Sequence, residues 1–140
     1  MRGRKCCRAV VTVDHGRRFL EGMGVSACVL AHASAWLEGT AAGQQLAQAS
    51  VALAQGFASL LSGVYTSFGA KVADVLTAFQ TTAPFTQTVT LGGFGTIPLA
   101  VAMICTYTWE CTAPPVGPNI HANSLGYGII ANAFLTTYLG

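Results

Sequence analysis

The sequence predicts a single α+β domain spanning residues 1–140, with one long amphipathic helix at about 41–80 and short β-strands before and after it. Three observations carry that expectation. Between Ala41 and Gln80 there is no proline, and the abundant alanine and leucine favour helix. The residues before this stretch contain a short β-branched run followed by a turn. Residues 81–140, rich in threonine, glycine and proline, contain a single charged residue, Glu110.

Residues 1–18 are expected to form a basic arm and a hairpin. Ala9 to Val13 is short and β-branched, Asp14-His15-Gly16 is a good turn, and Arg17 to Leu20 can return as the second strand. Arg2, Arg4, Lys5 and Arg8 precede the hairpin as a small cationic group suited to anion contact. Four charges make a small patch, which reads either as a solvated terminus or as a weak contact for nucleic acid or anionic lipid. Arg17-Arg18, the moderately apolar Gly22–Ala31 and Ala33-Ser34-Ala35 imitate a secretory signal, but Glu21, Gly22, Gly24 and Ser26 weaken that pattern.

The helical stretch has two overlapping repeats. Leu46, Phe57, Phe68 and Phe79 recur every eleven residues, as do Leu53, Val64 and Val75. At about 100° per residue both rows fall on one face, with Gln44, Gln48, Gln55, Ser59, Ser62 and Thr66 opposite. Eleven residues in three turns is about 3.67 per turn, so partner helices would wrap nearly straight or slightly right-handed. A continuous helix over this stretch would be roughly 60 Å long, which favours helix contact between subunits. Leu46, Leu53, Phe57, Val64, Phe68 and Phe79 are therefore the expected subunit-interface anchors.

The second repeat consists of small residues at intervals of seven: Ala42, Ala49, Gly56, Gly63 and Ala70. Small residues let helix backbones approach closely. Each interior glycine costs about 1 kcal/mol relative to alanine, so Gly56, Gly63 and Gly69 call for a packing reason or a break. Lys71 would project onto the apolar face of an unbroken helix, which places the break near 69–71.

Beyond the helix, Thr86 to Leu91 alternates as a strand would, and Gly92-Gly93-Phe94-Gly95 is a corner. Thr96 to Trp109 is apolar and uncharged, read as a buried strand pair or, with its flanks, a short membrane span. Ala113 to Asn119 reads as an extended surface loop, and Leu125 to Leu139 as a weak terminal helix. Cys105 and Cys111 are spaced to permit a local disulfide across a turn, with two ordinary apolar thiols as the alternative.

Charge distribution sets the functional expectation. Nine of the twelve formal charges lie in residues 1–38, leaving Lys71, Asp74 and Glu110 for the rest. The whole chain is 9% charged and 52% hydrophobic, where an ordinary soluble domain is about a quarter charged. Most of the surface is therefore expected to meet protein neighbours or lipid.

The catalytic inventory is thin. Asp14, Glu21, Glu38, Asp74 and Glu110 are scattered singly, and His15, His32 and His121 lack metal spacing. A Cys28–His15–Asp14 set would have to be assembled in space, with nothing marking an activated nucleophile. Gly93-Phe94-Gly95 begins like a dinucleotide loop but lacks its third glycine. The expectation is a non-enzyme without catalytic, cofactor-binding or metal residues and without a small-molecule substrate.

The expected role is a structural subunit that self-assembles into a coat, filament or decoration layer, in a virion or at a cell surface. Its partners would be further copies of itself or other shell subunits. The alternative is a small, mostly α integral membrane protein, such as an oligomeric pore lined by the Gln/Ser/Thr stripe.

Overall fold

The computed structural model describes residues 10–14, 17–21, 33–37 and 39–140, and it has the expected α+β character. Strands β1 (Val10–Asp14) and β2 (Arg17–Glu21) form the antiparallel hairpin, with Asp14 facing Arg17 in the register. Helix α1 (Ala33–Leu37) and helix α2 (Ala41–Ser67) follow. The basic arm, His15, Gly16, the segment from Gly22 to His32 with Cys28, and Glu38 lie outside the described residues.

The break in the long helix falls where glycine and lysine conflict with its continuation. Thr40 caps the start of α2, its Oγ1 accepting the Gly43 N–H at 3.0 Å. At the other end the Gly69 N–H donates to the Thr66 carbonyl and the Ala70 N–H to the Tyr65 carbonyl. This is a Schellman stop, and it requires the positive φ of +74° that Gly69 adopts. The chain then turns into strand β3 (Lys71–Val72), which adds to β2 in parallel, Phe19 opposite Lys71 and Leu20 opposite Val72. Released from the helix, Lys71 donates from Nζ to the Tyr138 carbonyl at 3.3 Å, a cation at a helix C-terminus.

A short helix α3 (Val75–Ala78) is capped by Asp74, whose two carboxylate oxygens accept the Thr77 N–H and hydroxyl. Strands β4 (Thr88–Leu91) and β5 (Gly95–Pro98) then make a second antiparallel hairpin around the glycine corner. Gly93-Phe94-Gly95 is thus the turn of a hairpin.

The apolar stretch Thr96–Trp109 corrects the sequence expectation. It contains β5 and then helix α4 (Leu99–Tyr107), in place of a buried strand pair. Among the described residues no helix is long and apolar enough to cross a membrane. Pro98 ends the strand and occupies the N-cap of α4, where its missing N–H breaks no helical bond. The terminal helix α5 (Ser124–Leu139) forms where its weak pattern places it.

Asn123 ties α4 to α5. Its Oδ1 accepts the Gly126 N–H at 3.1 Å, while its Nδ2 donates to the Thr106 carbonyl at 2.8 Å. Gly126 lies so close to the end of α4 that a Cβ there would collide with the Tyr107 carbonyl.

The core lies between α1, α2, α4 and the β4–β5 hairpin, centred on Val51, Ala54, Leu76, Ile97, Val101, Ala102 and Ile104. Trp36 and Phe85 meet at its edge with ring centroids 4.9 Å apart. Burying a side chain of the size of Val101 or Ile104 contributes roughly 1.5–3 kcal/mol.

Candidate functional site

Helix α2 presents a small-residue face to the core. Gly43, Ala47, Ser50, Val51 and Ala54 are its buried residues, and the Ser50 hydroxyl is satisfied by the Ala47 carbonyl at 2.7 Å. With so little volume between them, α2 sits close against its neighbours. Leu61 also packs, half-buried, against the core, while most other large apolar side chains of this helix point elsewhere.

Five of the six expected interface anchors are on that outer surface. Leu46 is 49% exposed, Leu53 52%, Phe57 44%, Val64 45% and Phe68, the C-cap residue, 67%. Leu60, which sequence periodicity did not single out, joins them at 63%. These six side chains present apolar surface on the order of 600 Å², more than scattered exposed hydrophobics normally give.

Phe79 corrects the set. The helix that was to carry it stops at Ser67, and Phe79 is buried, packed edge-on against Tyr107 with ring centroids 5.3 Å apart. Val75, in the parallel row, is also buried past the break. Both belong to the chain's own core.

The small-residue repeat lies beside the exposed row. Ala42, Ala49, Gly56 and Gly63 are exposed, whereas Ala70 is buried after the break. A Cβ built on Gly56 or Gly63 would meet no described atom within 4 Å. The two glycines therefore have no packing reason among the described residues, although each costs about 1 kcal/mol of helix propensity. The polar row completes the surface: Gln48, Gln55, Ser59 and Thr66 are exposed, while Gln44 and Ser62 are half-buried.

A second uncovered apolar face is on α5. Leu125 is 64% exposed, Leu135 56% and Leu139 75%, joined by Tyr127 and Tyr138, and the helix carries no charged residue. Gly126 is its one buried residue. Helices apolar on every side are normally enclosed.

The structure joins Cys105 and Cys111 in a disulfide, linking the last turn of α4 to the turn after it. The Thr108 hydroxyl, buried between them, donates to the Ile104 carbonyl at 2.7 Å and accepts the Glu110 N–H at 3.1 Å. The two cysteines thus serve the framework of this corner.

Among the described residues, chemical groups also converge beside α2. A cleft of about 260 Å³ between α2 and the β3–α3 segment is lined by Ser59, Ser62, Tyr65 and Asp74 above Leu61, Val72 and Leu76. Asp74 already caps α3 through both oxygens. His121 is exposed in the loop before α5. Among the described residues no three His, Cys, Asp or Glu side chains are grouped to hold a metal ion.

Compared with known proteins, the chain matches no family model, no curated protein and no solved structure.

Proposed function

We propose that the protein is a non-enzymatic structural subunit that self-assembles into a coat, filament or decoration layer, and that the outer face of α2 is one of its seams. One observation carries this reading above the others. Six large apolar residues of the longest helix and its C-cap, Leu46, Leu53, Phe57, Leu60, Val64 and Phe68, are substantially exposed, while its buried positions are Gly43, Ala47, Ser50, Val51 and Ala54. A chain stabilising only its own fold gains by the reverse arrangement, because burying each such side chain is worth roughly 1.5–3 kcal/mol.

The near absence of charge supports the same reading. Residues 39–70 and 111–140 contain no Asp, Glu, Lys or Arg, so neither α2 nor α5 presents the charges that keep surfaces apart. Two uncovered faces suit an extended assembly, which needs more than the one contact of a closed pair. Neighbouring copies, or other shell subunits, are the partners, and a virion or cell-surface layer is the setting. The basic residues Arg2, Arg4, Lys5 and Arg8 are then available to contact nucleic acid or anionic lipid.

Size in solution tests the proposal. The untagged protein, purified without detergent, is expected to elute far above the 14.5 kDa of one chain and to show particles or filaments by negative-stain microscopy. A stable detergent-free monomer would remove the proposal. Retention in membranes through carbonate extraction would favour the integral membrane alternative.

A further inference from the structure

The outer face of α2 contains a second seven-residue row interleaved with the first. Leu46, Leu53 and Leu60 recur every seven residues, and each is followed three residues later by a small one, Ala49, Gly56 and Gly63. This is the spacing of a coiled-coil seam, large at one core position and small at the other. The seam is centred about 135° around the helix from the buried face, clear of the chain's own core. Phe57 and Val64 flank it on the core side.

We propose that α2 pairs antiparallel with α2 of a second copy, across a two-fold axis between Ala54 and Gln55, as a close-packed coiled coil. The inference rests on the self-assembly reading and specifies its first contact. In an antiparallel pair centred there, Leu53 lies opposite Gly56 of the other copy, Leu46 opposite Gly63 and Ala49 opposite Leu60. Every layer then joins one large and one small residue. A parallel pair in register would set leucine against leucine and glycine against glycine, leaving alternate layers crowded and empty.

The glycines favour this occupant over an unrelated partner. They are exposed, and an added Cβ meets no described atom within 4 Å, so no packing among the described residues requires them. A leucine from the second copy does, because it enters the gap beside a bare backbone. The exposed apolar residues supply about 600 Å² per copy, so a pair covering all of them would remove at most about 1,200 Å² of apolar surface from water, the lower edge of stable specific interfaces. No charged residue lies anywhere on α2, so two identical helices meet without like-charge repulsion. The seven-residue spacing gives the pair a left-handed wrap over these three repeats, although the eleven-residue rows alone favour a nearly straight one.

Disulfide trapping tests the register. In a full-length background with Cys6, Cys7 and Cys28 changed to Ser, a Leu46→Cys chain is mixed with a Gly63→Cys chain and oxidised. Cross-linked heterodimer is expected in the mixture, with little cross-linking of either variant alone. Self-cross-linking of each variant, without enrichment in the mixture, indicates a parallel pair and overturns the proposal.

Gly56→Leu provides a second test, since its side chain enters open space in the single chain but occupies the gap needed by Leu53 of the other copy. It is expected to weaken self-association at least tenfold with helix content unchanged, while Gln48→Leu on the exposed polar row leaves association as it was. If the wild-type chain assembles and Gly56→Leu has no effect, the α2 pairing is wrong and another face forms the assembly. If the wild-type chain is monomeric, the self-assembly reading fails along with it.

Discussion

Helices α2 and α4 are both uncharged and rich in alanine, yet they use their large side chains in opposite ways. In α4, Val101 and Ile104 are 2% exposed and pack in the centre of the core. In α2 the buried positions are Gly43, Ala47, Ser50, Val51 and Ala54, while Leu53 and Leu60 remain more than half exposed. Composition alone does not separate these helices; the direction of their large side chains does. One helix finishes the fold, and the other leaves much of its apolar surface exposed.

Equivalent truncations on the two helices should break that contrast if it is wrong. The largest effect is expected from Ile104→Ala, which should destabilise the fold by about 2–5 kcal/mol through a core cavity, read as a lowered denaturation midpoint. Next is Gly126→Ala, whose methyl group would meet the Tyr107 carbonyl and force α5 away from α4. That overpacking should cost about 1–3 kcal/mol in the same measurement.

The same substitution on the outer helix should have the opposite sign. Gly56→Ala adds a methyl group into open space and should stabilise the dissociated chain by up to about 1 kcal/mol. The smallest effect on folding belongs to Leu60→Ala, expected within about 0.5 kcal/mol of wild type in dilute solution because the side chain is 63% exposed. A loss of several kcal/mol there would mean that α2 packs its leucine row inward, contrary to the structure.

Legibility in the sequence followed the strength of the local signals. The break after Ser67 was readable because Gly69 supplies a left-handed residue and Lys71 cannot lie on an apolar stripe. The first hairpin was readable from β-branched residues meeting Asp14-His15-Gly16, but its third strand was not. Lys71–Val72 joins β2 across about fifty residues, and two residues of extended chain carry no periodicity.

Helix α4 was hidden for a different reason. Its core position leaves little polar contrast around it, and Thr96-Ile97-Pro98 just before it looks like strand. At the candidate surface, the exposed Leu/Phe/Val row stood out because large side chains dominate an apolar pattern. The true core face, built from Gly43, Ala47, Ser50, Val51 and Ala54, has one large apolar side chain and so little hydrophobic signal. Phe79 shared the row's spacing but not its helix, because periodicity continues through a turn that the backbone does not.

The most direct test of the central claim is sedimentation velocity of the untagged wild-type chain beside a Leu53→Ser, Leu60→Ser double variant, both without detergent. A species several times 14.5 kDa is expected for the wild type and a shift toward single chains for the variant, with helix content by circular dichroism unchanged. Identical sedimentation of the two proteins, whether as monomers or as assemblies, would contradict a seam on the outer face of α2.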